Sequence, residues 1–213
     1  LWEKNRLDEY AHIAPMYDRI LDPYLKRVRQ RVMHLIRHAG IQTLLDMGCG
    51  TGEQVLLMRR AGILAVGLDL SGAMIRQARA KAPSAGIFCQ SDASTSPFRA
   101  ETFDACLFSF ALHEKPLLLQ HQIIQEAIRI TLQNGYLICA DYDIPSRHTP
   151  LARIVAGMIW TIERLAGKDH FHCFTQYMKN GGQDGLFNGY PVHRTGGITI
   201  LGGNGRISLF RIK

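Results

Sequence analysis

The stretch LLDMGCGTGEQ, residues 44–54 of this 213-residue chain, sets Gly48, Gly50 and Gly52 directly after an apolar run, with Asp46 two residues before the first glycine. A glycine turn leading from a strand into a helix lets a ligand touch bare backbone, and the helix N-terminus offers N–H groups to an anion. Dinucleotide sites use G-x-G-x-x-G with an acid after the second strand. The spacing here is G-x-G-x-G, which speaks against a nicotinamide cofactor. Further acids close later apolar runs: Asp69 in GLDLS and Asp92 in SDAS. Each aspartate alone also reads as a helix cap or turn residue. His170, His172 and Cys173 place possible metal donors close together, but metal sites present three or four ligands at recognisable spacing. No partner cluster is visible, so no metal is expected and these residues read as pocket lining or packing.

The elements that must hold these residues alternate. DPYLKRVRQRVMHLIRHAG reads as a helix capped by Asp22, entered at Pro23 and stopped at Gly40, with Leu25, Val28, Val32, Leu35 and Ile36 at helical spacing. TLLDM, ILAVGLDL, GIFCQS, TFDACLFSF and YLICADY read as five buried strands. Helices are expected from Glu53 to Ala61, after Ser71, and from Pro116 to a stop at Gly135. Strands apolar on both faces and alternating with helices imply a doubly wound parallel sheet. GGITILGGNGRISLFRIK carries two β-runs around GGNG, so residues 190–213 should add an antiparallel hairpin. Residues 146–182 form an insertion. Thr149 and Pro150 open a helix with Leu151, Ile154, Val155, Met158, Ile162 and Leu165 on one face, which should pack or line a pocket.

LLDMGCGTG resembles motif I of the class I S-adenosylmethionine (SAM) methyltransferases, and its companions follow in order across residues 10–141. The resemblance implies a Rossmann-like α/β fold, a mostly parallel seven-stranded sheet ending in an antiparallel hairpin. It implies one domain over 1–213, with a helical cover at 1–40, a SAM-binding core at 43–141, a substrate cover at 146–182 and the terminal hairpin. Asp46, Gly48, Cys49, Gly50 and Gly52 would then bind SAM, and Asp69 would bind both ribose hydroxyls. Leu70 would pack on the adenine face, Asp92 would receive the adenine amino group, and Ala93 would lend its backbone N–H. FDACLFSFALHE resembles motif IV, which brings Ser109 beside the reactive methyl.

YAHIAPMYDRI is similar to the A-x-x-YD element of the ubiquinone and menaquinone biosynthesis methyltransferases and their type 11 relatives. It implies that Tyr17 approaches SAM, with Tyr10 near the substrate. The expected reaction is transfer of the SAM methyl group to a small acceptor through a carbon, oxygen or nitrogen nucleophile. A protonated acceptor needs a base, and His113 and Glu114, after the fourth strand, are the candidates. His170, Phe174 and Tyr177 in HFHCFTQYMKNGG suit contact with a partly aromatic substrate. The absence of N-P-P-Y after the fourth strand argues against methylation of DNA adenine.

Composition bounds these readings. The chain is 46% hydrophobic and 20% charged, ordinary for a globular protein, and no apolar run is long enough for a bilayer. LWEKNRLDEY lacks the apolar core of a signal peptide, and the absence of a first Met suggests trimming. Cys49, Cys89, Cys106 and Cys139 lie in or beside apolar runs, as reduced cytoplasmic thiols would. The net charge of +7 gathers at Lys26, Arg27, Arg29, Arg31 and Arg37. That face could meet nucleic acid or anionic lipid, as a non-catalytic binding module would. It lacks interleaved aromatics and reads better as a solvated face.

Overall fold

The computed structural model describes residues 14–83, 86–145 and 149–213, and of 15–24 the helical backbone alone. Strand β1 (Thr43–Met47) shows why both faces of the sheet need cover. Successive side chains point to opposite faces. Leu44 enters one core with Val28, Val32 and Ile36 of α1 (Ala14–His38), Val55 and Met58 of α2 (Glu53–Arg60) and Ile75 of α3 (Gly72–Lys81). Leu45 enters the other with Ile123, Ile124 and Ala127 of α4 (Leu117–Ile130). Fully burying each such side chain stabilises by roughly 1.5–3 kcal/mol.

Beside β1 run β2 (Leu64–Asp69), β3 (Phe88–Gln90), β4 (Phe103–Ser109) and β5 (Thr131–Tyr142). Then come α5 (Pro150–Leu165), α6 (Lys168–Lys179) and α7 (Gly182–Phe187), before β6 (Val192–Ile200) and β7 (Gly205–Ile212). The seven strands lie in the order β3-β2-β1-β4-β5-β7-β6. The first five are parallel, and β7 is antiparallel to both β5 and β6. The order reverses between β1 and β4. In open α/β sheets the crevice at such a switch point, outside the C-terminal strand ends, is where ligands bind. The doubly wound fold and terminal hairpin are as expected, with Leu201–Gly203 forming a 3₁₀ turn in the GGNG connection.

Three local expectations need correction. Helix α1 does not start at Asp22 but runs unbroken through Pro23. A proline forfeits one helical hydrogen bond, and the apolar stripe from Val28 to Ile36 anchors the segment against that loss. Its expected end is correct: Gly40, at φ +69°, lets Ile41 N–H donate to Ile36 O. Helix α4 stops at Ile130, not Gly135, because β5 already begins at Thr131. Gly135 lies inside the strand, where an added Cβ would sit 2.7 Å from Asp104 O.

The third correction concerns α5. Thr149 caps it, accepting from Ala152 N–H at 3.1 Å, with Pro150 in the first turn. Its apolar stripe nevertheless faces outward: Leu151, Ile154, Met158, Ile162 and Leu165 are all exposed. The buried face carries Ala152, Ile159 and Glu163. Two polar anchors fix this rotation. Asn204 Nδ2 donates to Ala152 O at 2.9 Å, and the Glu163 carboxylate is bound beneath the helix.

Candidate active site

A cleft opens where the C-terminal end of β1 meets α1. It is lined by Leu25, Val28 and Arg29 of α1, by Asp46, by the loop Gly48–Thr51, by Glu53 and Gln54 of α2, and by Ser109. Gly48, Gly50 and Gly52 all take left-handed φ, +89°, +54° and +81°. At Gly52 a Cβ would lie 2.5 Å from the Phe88 ring, so the loop packs tightly on that side. At Gly50 it would meet nothing within 4 Å, so the loop offers bare backbone to the cleft.

Asp69, at the end of β2, ties this loop down. Its Oδ2 accepts from Gly50 N–H at 2.8 Å and its Oδ1 from Ser71 N–H at 2.9 Å. Burial raises its pKa, and these two donors work against the rise. Leu70 beside it is 42% exposed, an apolar surface free to take a flat ring. Asp92 Oδ1 accepts from both the backbone N–H and the hydroxyl of Ser94, at 2.8 and 2.7 Å, which sets that carboxylate in a tight turn. Ala93 packs against the α4 core.

Three buried side-chain atoms of the cleft lack partners among the described residues. Asp46 is 1% exposed and its Oδ1 has no hydrogen bond among the described residues, nor has either amide atom of Gln54. Burial first, then the Asp69 charge, pushes the Asp46 carboxyl up to about 7, although Arg29 pulls the other way. An orphaned buried carboxylate and amide are costly unless a ligand satisfies them. Burial and the same two aspartates hold the Cys49 thiol well above its ordinary pKa, so it is no nucleophile.

At the ends of β4 and β5 lies a second cluster, internally paired. His113 Nδ1 and Asp141 Oδ1 are 2.6 Å apart, and His113 Nε2 faces Glu163 Oε2 at 3.5 Å. Glu163 Oε2 also meets His170 Nε2 at 2.6 Å, and its Oε1 accepts from the Tyr142 hydroxyl at 2.9 Å. His170 Nδ1 lies 3.6 Å from Glu114 Oε2, and Glu114 pairs with Lys115. Burial pulls the pKa of His113 down, but Asp141 and Glu163 outweigh it and lift it to about 10. Burial pushes Glu163 up, but the hydrogen bonds from His113 and His170 outweigh it and bring it to about 2.

This geometry corrects the reading of His113 as a general base. Both ring nitrogens face buried carboxylates, Asp141 at Nδ1 and Glu163 at Nε2, and the residue is 4% exposed, so in this arrangement it is not presented to an acceptor as a base. Phe174 and Tyr177 are corrected too. They are 0% and 2% exposed, and the Tyr177 hydroxyl donates to Tyr142 O at 2.9 Å, so they pack the cover down and line no open pocket. His170 joins the cluster, whereas His172 is exposed and apart from it. Tyr10 lies outside the described residues, and so does the side chain of Tyr17. Sequence reasoning missed Asp141, Glu163 and Gln54. Glu163 had a signal: it sits at helical spacing from Ala152 and Ile159, a charge on a buried face.

The family model described as "Methyltransferase domain" matches residues 45–139. Residues 45–139 are thus similar to the methyltransferase-domain family. Among curated relatives, the demethylmenaquinone methyltransferase of Paenarthrobacter aurescens is 29% identical, over 67% of this chain and 58% of its own length. The ubiquinone/menaquinone biosynthesis C-methyltransferase of Syntrophotalea carbinolica is 32% identical, over 64% and 61%. The chain thus spans 58% to 66% of the length of the first such relatives. Two solved structures share the fold at 19% identity. The PH0226 protein of Pyrococcus horikoshii has a TM-score of 0.61 over 89% of this chain and 92% of its own. The magnesium protoporphyrin IX methyltransferase of Synechocystis, with bound S-adenosylhomocysteine, has a TM-score of 0.60 over 88% and 83%. The matched residues include the glycine loop, Asp46 and Gln54, where the orphaned polar atoms gather.

Proposed function

We propose that the protein binds SAM in the glycine-loop cleft and transfers its methyl group to a small, quinone-like aromatic acceptor. One observation carries this reading: the buried Asp46 Oδ1, without a hydrogen bond among the described residues, beside the bare Gly50 backbone. The residues present fit the cofactor. Asp46 would take the ammonium of its amino-acid end, with Arg29 and Gln54 on the carboxylate, Asp69 on the ribose diol, Leu70 on the adenine face and Asp92 on the adenine amine. When bound, SAM supplies an electrophilic methyl on a sulfonium. The chain itself then has to orient donor and acceptor in line and exclude water. Ser109 lines the cleft at the end of β4, and Phe110 next to it takes a left-handed φ of +52°, an uncommon posture for a bulky residue. That turn would aim the β4 end at the methyl.

The names of the curated relatives support a quinone-like acceptor. His113 and Glu114 would then position the acceptor and the cover, leaving proton removal to solvent or to an acceptor that is already ionised. Residues 146–182, of which 149–182 are described, would close over the acceptor, and α1 over the cofactor. Five unpaired cysteines fit a reducing compartment such as the cytoplasm. No described helix is long and apolar enough to cross a membrane.

Calorimetry with SAM and S-adenosylhomocysteine tests the first half, and labelled SAM with a reduced short-chain demethylmenaquinone tests the second. Binding of both nucleosides with label transfer to the ring is the expected result. Failure to bind either nucleoside would overturn the whole reading. Binding without transfer to any aromatic acceptor would overturn the substrate class.

A further inference from the structure

We propose that His113, Glu114 and His170 form a binding site for one divalent first-row transition ion of the zinc type. The inference goes beyond methyl transfer and does not depend on it. The ligand atoms of His113, Glu114 and His170 all lie within 4.8 Å of one another, although the residues come from the loop after β4 and from α6. Glu163 of α5 backs the site from the far edge of the His170 ring, its Oε2 2.6 Å from Nε2, while Nδ1 on the near edge is 3.6 Å from Glu114 Oε2. The latter separation is long for a hydrogen bond. It matches two ligands of one tetrahedral ion, which at bond lengths of ~2.1 Å lie about 3.4 Å apart.

The surroundings are arranged as a metal centre needs them. Asp141 Oδ1 holds His113 Nδ1 at 2.6 Å, and the same carboxylate accepts from the backbone N–H groups of Leu112, His113 and Tyr142. A buried carboxylate on the far nitrogen of an imidazole fixes the tautomer that leaves Nε2 as the ligand atom. The Tyr142 hydroxyl occupies Glu163 Oε1, which leaves Oε2 to face the two imidazoles. Two nitrogens and one carboxylate oxygen, with a fourth position open to water, suit zinc, cobalt(II) or iron(II).

The test uses the full chain, stripped with a chelator and titrated with zinc in the calorimeter, and with cobalt(II) in the visible spectrophotometer. About one ion per chain is expected, with intense cobalt bands of a four- or five-coordinate site. His170→Ala, Glu163→Gln and Glu114→Gln should each weaken zinc at least 10- to 100-fold, and circular dichroism identifies any variant that fails to fold. Glu114 is half-buried and offers the safest variant. The surface pair His34 and His38 is the rival for adventitious zinc, so His38→Ala should change nothing. The proposal is overturned if the parent retains no zinc, if cobalt keeps the weak spectrum of its hexaaqua ion, or if His38→Ala abolishes binding while Glu114→Gln leaves it intact. Equal zinc affinity in all three site variants would also end it.

Discussion

The C-terminal edge of the sheet holds two polar clusters that solve burial in opposite ways. At the ends of β1 and β2, Asp46 and Gln54 bury three side-chain atoms without partners among the described residues. At the ends of β4 and β5, Asp141, His113, Glu163 and His170 pair with one another from strand to cover. A buried polar group without a partner costs on the order of 1–3 kcal/mol, so the first cluster is stable only through the fold around it. The second joins α5 and α6 to the sheet. The contrast assigns the roles: the cleft is complete only with a ligand, whereas the paired cluster already holds the cover in place.

The sharpest way to break the contrast is to unpair the second cluster. Glu163→Ala removes the carboxylate between His113 and His170 and the acceptor of the Tyr142 hydroxyl. Removing one partner of a buried charge pair costs about 3–5 kcal/mol. Denaturant unfolding of chelator-treated protein should show a loss of that size, and Glu163→Gln a smaller one. A loss under about 1 kcal/mol for Glu163→Ala would mean that the cluster does not hold the cover.

In the cleft the sign reverses, because there a buried charge is being removed and not stranded. The Asp46 carboxyl stands at about 7 in the folded chain against an ordinary 3.8. Its contribution to stability is present in full below pH ~4, where both states are protonated, and is lost as pH rises through about 7. Burial is the main cause, the facing Asp69 charge adds to it, and Arg29 opposes both. Asp46→Asn should therefore stabilise the ligand-free protein above pH 7, by no more than about 4 kcal/mol, the worth of three pK units. The same variant should bind SAM more weakly, and parental affinity should rise with pH through about 7 as the carboxylate ionises to meet the ammonium. Melting curves from pH 5 to 9 with and without SAM read both effects. If Asp46→Asn instead destabilises the chain at pH 8, the orphaned carboxylate is not the costly group.

Asp69→Ala removes a carboxylate that now holds the loop through Gly50 and Ser71 and would bind the ribose. Cofactor affinity should fall by about 1.5–3 kcal/mol, the worth of hydrogen bonds to a charged group. Unchanged calorimetry would place the ribose elsewhere.

The cleft was far more legible in the sequence than the paired cluster. Strand ends, glycines with left-handed φ and the acids after successive strands leave their mark at short spacing, so Asp46, Gly50 and Asp69 were found together. The second cluster is assembled from residues 113, 114, 141, 163 and 170, carried by a loop, a strand end and two helices, and only tertiary packing joins them. Its histidines were read singly, as base, pocket lining or packing. The rotation of α5 was misread for a related reason. Apolar spacing says which residues share a face, but here Asn204 and the ionic contacts of Glu163 chose which face went inward.

That choice yields the smallest expected effect, and it tests the comparison from its outer side. If polar anchors and not the apolar stripe fix α5, the stripe contributes little to the folded chain. Ile154 and Leu165 are 62% and 81% exposed. Ile154→Ser and Leu165→Ser should each shift stability by no more than about 0.5 kcal/mol, the range of surface substitutions away from special features. Phe174→Ala is the control from the inner side, 0% exposed, with an expected loss of about 3–5 kcal/mol. Equilibrium unfolding in urea measures all three. A loss above about 1.5 kcal/mol for either serine variant would mean that the stripe is packed in solution, and the polar anchors would then no longer be needed to explain how the cover sits.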